Sequence, residues 1–136
     1  MLAKPILREL QDIVGKDRCL TAPEDLLVYS HDVFAEKKPD VVVLPSTTEE
    51  VSRILRVANR EKMPVTPRGS ATGLTGMCVP ERSGIVMAMS KMNRILEISP
   101  EARLTLLEAG DITDELQMAV EWLGLFGRPV TESQAI

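Results

Sequence analysis

The densest chemistry in the chain lies in ten residues, Arg68-Gly-Ser-Ala-Thr-Gly-Leu-Thr-Gly-Met77. Glycines at 69, 73 and 76 leave main-chain N–H groups open to close approach, because no Cβ stands in the way. Successive N–H donors in a loop form an anion-binding concavity suited to phosphate. Ser70, Thr72 and Thr75 add hydroxyl donors, and Arg68 adds a permanent positive charge at the entrance. The pattern is G-x-x-x-G-x-x-G. It lacks the Gly-Lys-Ser/Thr ending of a Walker A loop, and Ala71 stands where G-x-G-x-x-G has its second glycine. The residues alone allow two readings: a phosphate or pyrophosphate cradle, or a surface loop whose glycines serve only its turns.

Other reactive side chains are few. The single histidine, His31, sits in a polar stretch beside Asp32 and reads as an exposed, idle residue rather than a general base. One histidine and two distant cysteines, Cys19 and Cys78, do not make a four-ligand zinc site or a disulfide framework. Two reduced thiols are expected, with Cys78 as a small buried hydrophobe. Met77, Met87, Met89 and Met92 read as apolar filler in strands. Arg53, Arg56 and Arg60 recur at helical spacing and read as a solvated face. Trp122 is expected to cover core, or to lie at an interface if the domain is truncated.

Several elements must position the loop. Residues 4–14 carry Ile6, Leu7, Leu10, Ile13 and Val14 at helical spacing, with Gly15 as the stop. A short helix over 22–30 has Pro23 in its first turn and Leu26 and Leu27 inward. The unbroken apolar run Val41–Leu44 reads as a strand buried on both faces. Ser46-Thr-Thr-Glu49 is a capping box, and Thr47 with Glu50 is a second register of it. The helix that follows is expected to bury Val51, Ile54, Leu55 and Ala58. Residues 64–67 form a brief strand, which completes a right-handed strand–helix–strand unit. The glycine loop then leaves the end of that second strand, where ligands of such sheets bind. Strands are expected at 84–89, 95–98 and 104–108. An amphipathic helix over 112–123 is expected to be capped by Asp111 or Thr113, with Ile112, Leu116, Ala119, Val120 and Leu123 inward.

The composition agrees with one aliphatic domain. The 136 residues are 44% hydrophobic and 26% charged, with 3% aromatic and a formal net charge of −4. An acidic chain with so few aromatics is a poor match for nucleic acid. No apolar run reaches the length of a membrane span, and no signal-peptide core is visible, so a cytoplasmic location is expected, allowing peripheral attachment to the inner membrane within a complex.

Three segments in order strongly resemble the FAD-binding domain of the vanillyl-alcohol oxidase type: Pro39–Val51, Pro64–Gly76 and Gly84–Leu96. Within that family the branch of glycolate oxidase and D-lactate dehydrogenase is the most similar. The resemblance runs from about Tyr29 to Ile136 and implies an α+β fold. A small βαβ parallel subdomain is followed by the start of a mainly antiparallel one, with a helical lead-in over 1–38, the βαβ unit and pyrophosphate loop over 39–76, and the start of the second subdomain over 77–136. It also implies non-covalent FAD. By position, Pro67, Arg68, Gly69, Ser70, Ala71, Thr72, Gly73, Leu74, Thr75 and Gly76 match the pyrophosphate loop, and Val130, Thr131 and Ser133 match a flavin-lining stretch. Ala71 and Met77 replace family glycines, Ala109 replaces a proline, and Glu132 replaces a small neutral residue.

In this family a second glycine-rich segment and a substrate-binding cap follow, so the chain reads as the first part of such a domain, without catalytic or metal-binding residues of its own. The expectation is an FAD-binding portion of a flavin-dependent 2-hydroxy-acid oxidoreductase, inactive alone, completed by a partner chain or a second copy. The alternative is a degenerate, self-associating module that has lost FAD.

Overall fold

A computed structural model describes residues 2–31, 36–73 and 76–126. Helix α1 (Lys4–Val14) leads through one 3₁₀ turn into strand β1 (Cys19–Leu20) and helix α2 (Pro23–Val28). Strand β2 (Val41–Val43), helix α3 (Thr48–Arg60) and strand β3 (Val65–Arg68) follow. Then come β4 (Ile85–Ala88), β5 (Ile95–Ser99), β6 (Leu104–Leu107) and helix α4 (Thr113–Glu121).

The first sheet has the order β1-β2-β4-β3, with β1 antiparallel and the other neighbours parallel. The expected strand–helix–strand unit is present, but its two strands do not touch, because β4 runs between them. The sheet therefore reaches past residue 76, to Ala88. Both faces of β2 and β4 are covered, which is why they carry apolar residues without alternation. Val41, Val43, Ile85 and Met87 face α1 and α3, and pack with Leu10, Val14, Ile54 and Val57. Val42, Val86 and Ala88 face the other side, against Leu20, Leu26, Tyr29 and Leu44. Strands β5 and β6 form a separate antiparallel pair, with an irregularity between Ile95 and Glu97. At its base the Arg94 guanidinium donates to both Glu108 carboxylate oxygens, at 2.7 and 3.1 Å, which holds that carboxyl below its ordinary range.

Helix α1 has the expected bounds, with Gly15 at φ +89° as its stop. Helix α3 uses the second capping register: Thr47 Oγ1 accepts from the Glu50 N–H at 3.2 Å. Glu50 then turns back onto the preceding segment, accepting from the Ser46 N–H at 2.6 Å. The Arg18 guanidinium grips the same carboxylate through both nitrogens, at 2.8 Å each, and also reaches Ser46 Oγ at 2.8 Å. This cluster ties the turn before β1 to the end of β2 and the start of α3.

The Arg18 hydrogen bonds hold the Glu50 carboxyl well down, at about 2. A depressed folded-state value means the stabilisation is present above the unfolded value of about 4.5 and is lost as pH falls towards about 2. Its size at neutral pH is on the order of 2–3 kcal/mol. Glu50→Gln should therefore be less stable than the unaltered chain in urea at pH 7. The gap should narrow steadily between about pH 5 and pH 2, whereas a gap independent of pH would contradict the assignment.

Four expectations about buried faces change. In α2, Leu26 is inward but Leu27 is exposed. In α3, Val57 rather than Leu55 joins Ile54 and Ala58 in the core. Helix α4 buries only Val120, has no side-chain cap, and leaves Leu123 exposed. Trp122 does not cover core, since it is 90% exposed. Asp111, one of the expected caps, instead has its Oδ1 buried without a hydrogen-bond partner, and burial raises its carboxyl above the ordinary range. Arg53 and Arg56 are exposed as expected, and Arg60 pairs with Glu9 on α1 at 2.6 Å.

Candidate functional site

The glycine loop starts where β3 ends, at the carboxyl edge of the parallel strands, since Arg68 lies opposite Ala88 in the register. The Arg68 carbonyl accepts from the Met89 N–H at 2.9 Å, which fixes the loop's first stem to the end of β4. Beyond that stem the chain turns away from the sheet. Among the described residues, the N–H groups of Gly69, Ser70, Ala71 and Gly73 donate no hydrogen bond to other parts of the chain. A groove of about 230 Å³ opens here, lined by residues 69–73 with Met77 and Cys78. A larger groove of about 420 Å³ lies on the β5–β6 hairpin, but Glu97 is its charged lining residue and would repel an anion.

The glycines divide by what requires them. A Cβ at Gly69 or Gly73 would meet no protein atom within 4 Å, and neither residue has a positive φ. The protein's own packing therefore places no demand for glycine at either position. What their small size provides is access to the main chain from the groove. The positive φ values fall instead on Gly76, at +74°, and on Ala71, at +61°. For alanine the left-handed region costs about 1 kcal/mol or more. Ala71→Gly should remove that strain at some cost in unfolded-chain entropy, leaving a gain of roughly 0.5 kcal/mol. A chemical-denaturation midpoint that rises checks this, and an unchanged or lower midpoint counts against it.

Arg68 is not at the mouth of the loop as the sequence suggests. It is 8% exposed, and its guanidinium points back beneath the loop. Nη1 approaches the Cys78 carbonyl at 3.5 Å and Cys78 Sγ at 3.8 Å. The Tyr29 ring lies under the guanidinium, 5.7 Å from its centroid. Arg68 thus joins the two stems of the loop, residues 68 and 78, and does so against the end of α2. It forms no carboxylate ion pair among the described residues. Its charge, unpaired among the described residues, lies beside Cys78 at the edge of the groove and favours an anion there.

The remaining site residues fall as follows. Pro67 is in β3 and exposed; Ser70 is exposed; Thr72 and Gly76 are half-buried. Leu74, Thr75, Val130, Thr131 and Ser133 lie outside the described residues, as does Glu132. Met77 is 83% exposed, so it is no strand filler, unlike Met87, Met89 and Met92. Cys78 is only partly buried, whereas Cys19 is buried, and that burial pushes its thiol up to about 11. His31 is exposed and lies 3.1 Å from the Leu27 carbonyl through Nδ1. Tyr29 had no role in the sequence reading. Its contact with Arg68 joins residues 39 positions apart, and local spacing carries no signal of it.

An open groove edged by N–H groups that donate to no described residue, with a buried cation beside it, suits a pyrophosphate. Comparison with known proteins gives the family. Residues 39–135 match the FAD binding domain family, and the chain belongs to it. The cofactor of this domain is FAD. Glycolate oxidase subunit GlcD of Bacillus subtilis (strain 168) is 36% identical over 138 residues, covering 100% of this chain and 29% of that protein. D-lactate dehydrogenase of Anaerostipes hadrus is 31% identical over 127 residues, covering 91% of this chain and 26% of that protein. The chain thus spans little more than a quarter of these relatives' length. Among solved structures, alkyldihydroxyacetonephosphate synthase superposes with a TM-score of 0.79 at 20% identity, over 91% of this chain and 26% of that one. p-Cresol methylhydroxylase gives 0.78 at 21%, over 89% and 25%. These two show the fold. No helix among the described residues is long and apolar enough to cross a membrane.

Proposed function

We propose that the chain is the FAD-binding portion of a flavin-dependent oxidoreductase acting on 2-hydroxy acids, and that its loop at residues 67–73 and 76 holds the FAD pyrophosphate. The observation that carries this is the pair Gly69 and Gly73: no described protein atom requires them, and both line the groove beside N–H groups that donate to no described residue. Gly69, Ser70, Ala71 and Gly73 would present main-chain donors to the phosphate oxygens. Ser70 and Thr72 add hydroxyls, and Arg68 supplies charge from below while fixing the loop's stems. FAD held there would supply the redox chemistry for oxidising the acid.

The substrate class comes from the glycolate oxidase and D-lactate dehydrogenase relatives. Among the described residues, no general base stands at the groove: His31 is exposed and sits beside the Leu27 carbonyl. The 136-residue chain is therefore proposed to bind FAD without turnover until further polypeptide, in cis or from a partner, completes the site. The test combines flavin-fluorescence titration with size-exclusion chromatography and a glycolate and D-lactate assay. Saturable quenching without turnover supports the proposal, and turnover by the chain alone overturns its second half.

A second reading has its own support. The strained Ala71 and the exposed apolar set Leu104, Leu106, Trp122 and Phe126 favour a module that has lost FAD and self-associates. A stable oligomer with no flavin quenching would establish that reading instead.

A further inference from the structure

We infer that Met77 is a ligand-contact residue that covers the flat heteroaromatic ring of a dinucleotide whose pyrophosphate lies in the glycine loop, an inference that rests on the FAD reading above. Met77 is 83% exposed, yet its surroundings are fixed. Gly76 before it takes φ +74°, and its carbonyl accepts from the Val79 N–H at 3.1 Å. Cys78 after it is held by the Arg68 guanidinium through its carbonyl. The turn is thus pinned on both sides, while the thioether side chain is free to move.

That side chain lines the same groove as Gly69 and Gly73. Among the described residues, the groove holds two kinds of contact side by side: main-chain donors with nothing to bind, and one large apolar group with nothing to cover it. A ligand that joins phosphate to a flat ring satisfies both. Methionine suits the second task, because an unbranched thioether adapts to a ring face and gains from sulfur–aromatic contact. Exposed apolar residues are common singly on surfaces, but this one stands at the rim of the anion groove. Either ring of FAD, adenine or isoalloxazine, presents the same chemistry.

The test begins with FAD binding by the unaltered chain and by Met77→Ala, with ADP and FMN as half-ligands carrying one ring each. Met77→Ala should bind FAD about five- to tenfold more weakly, with a similar loss for the one half-ligand whose ring Met77 covers. Hydrogen peroxide oxidation followed by mass spectrometry gives an independent readout. Bound FAD should slow sulfoxide formation at Met77 but not at Met118, which is exposed on α4 and serves as internal control. Because Met77 is exposed, its replacement should leave the thermal midpoint unchanged. If the unaltered chain binds no FAD, the FAD reading itself fails. If it binds FAD, but Met77→Ala binds as well or better and Met77 oxidises at an unchanged rate, the FAD reading stands and the role of Met77 is overturned.

Discussion

Gly84→Ala is expected to be strongly destabilising. Gly84 takes φ +84° at the entry to β4, where alanine costs about 1–2 kcal/mol. The added Cβ would also lie 2.4 Å from the Pro64 carbonyl oxygen and 2.7 Å from the Pro64 ring, positions set by the sheet itself. Overpacking against backbone adds about 1–3 kcal/mol. Gly84 cannot simply move away. Its N–H donates to Asp40 Oδ2 at 3.0 Å, and its carbonyl accepts from the Asp40 N–H at 2.9 Å. A combined loss of about 2–5 kcal/mol is a large share of the roughly 5–15 kcal/mol that holds a domain of this size together. Far-ultraviolet circular dichroism during urea titration checks this, and a midpoint close to that of the unaltered chain would contradict the geometry at β4.

Gly69→Ala and Gly73→Ala should do the opposite. Neither new Cβ meets protein, and neither residue has a positive φ, so stability should stay within about 0.5 kcal/mol. The Cβ would instead point towards the space a phosphate must enter to reach the N–H groups. Loss of one hydrogen bond to a charged group costs about 1.5–3 kcal/mol. FAD affinity should therefore fall about ten- to hundredfold in either variant. The same chemical change thus weakens the fold at Gly84 and only the binding at Gly73, because one glycine serves the protein and the other serves the ligand. Equal FAD binding by Gly73→Ala would remove the main support for the loop assignment.

The sequence shows the covered strands and the first helix clearly, because both are local patterns. Val41–Val43 has no polar residue to alternate, and residues 4–14 repeat every three to four positions up to Gly15. The insertion of β4 between β2 and β3 is not written in any local pattern, since it follows from pairings 20 or more residues apart. The exchange of Val57 for Leu55 has the same origin. Both continue the apolar stripe of α3, and the direction of the packing with α1 decides which goes inside. Trp122 looks like core by type alone, but nothing among the described residues covers that face of α4.

At the site, the composition of the loop pointed to an anion, and the place of the loop at the end of β3 could be read from element order. Arg68 was legible as a charge but not as a buried one. Its partners, Tyr29 and Cys78, come from the end of α2 and the far stem of the loop. The positive φ of Ala71 has no signature in the sequence beyond an alanine standing at a family glycine position.

The main chain of this loop is proposed to hold the FAD pyrophosphate. A two-dimensional ¹H–¹⁵N correlation spectrum recorded during titration with FAD, with riboflavin as the phosphate-free control, addresses it atom by atom. The amide resonances of Gly69, Ser70, Ala71 and Gly73 should shift progressively and saturate with FAD and stay in place with riboflavin. Amide shifts from FAD confined to other parts of the chain, or none at all, would contradict the account.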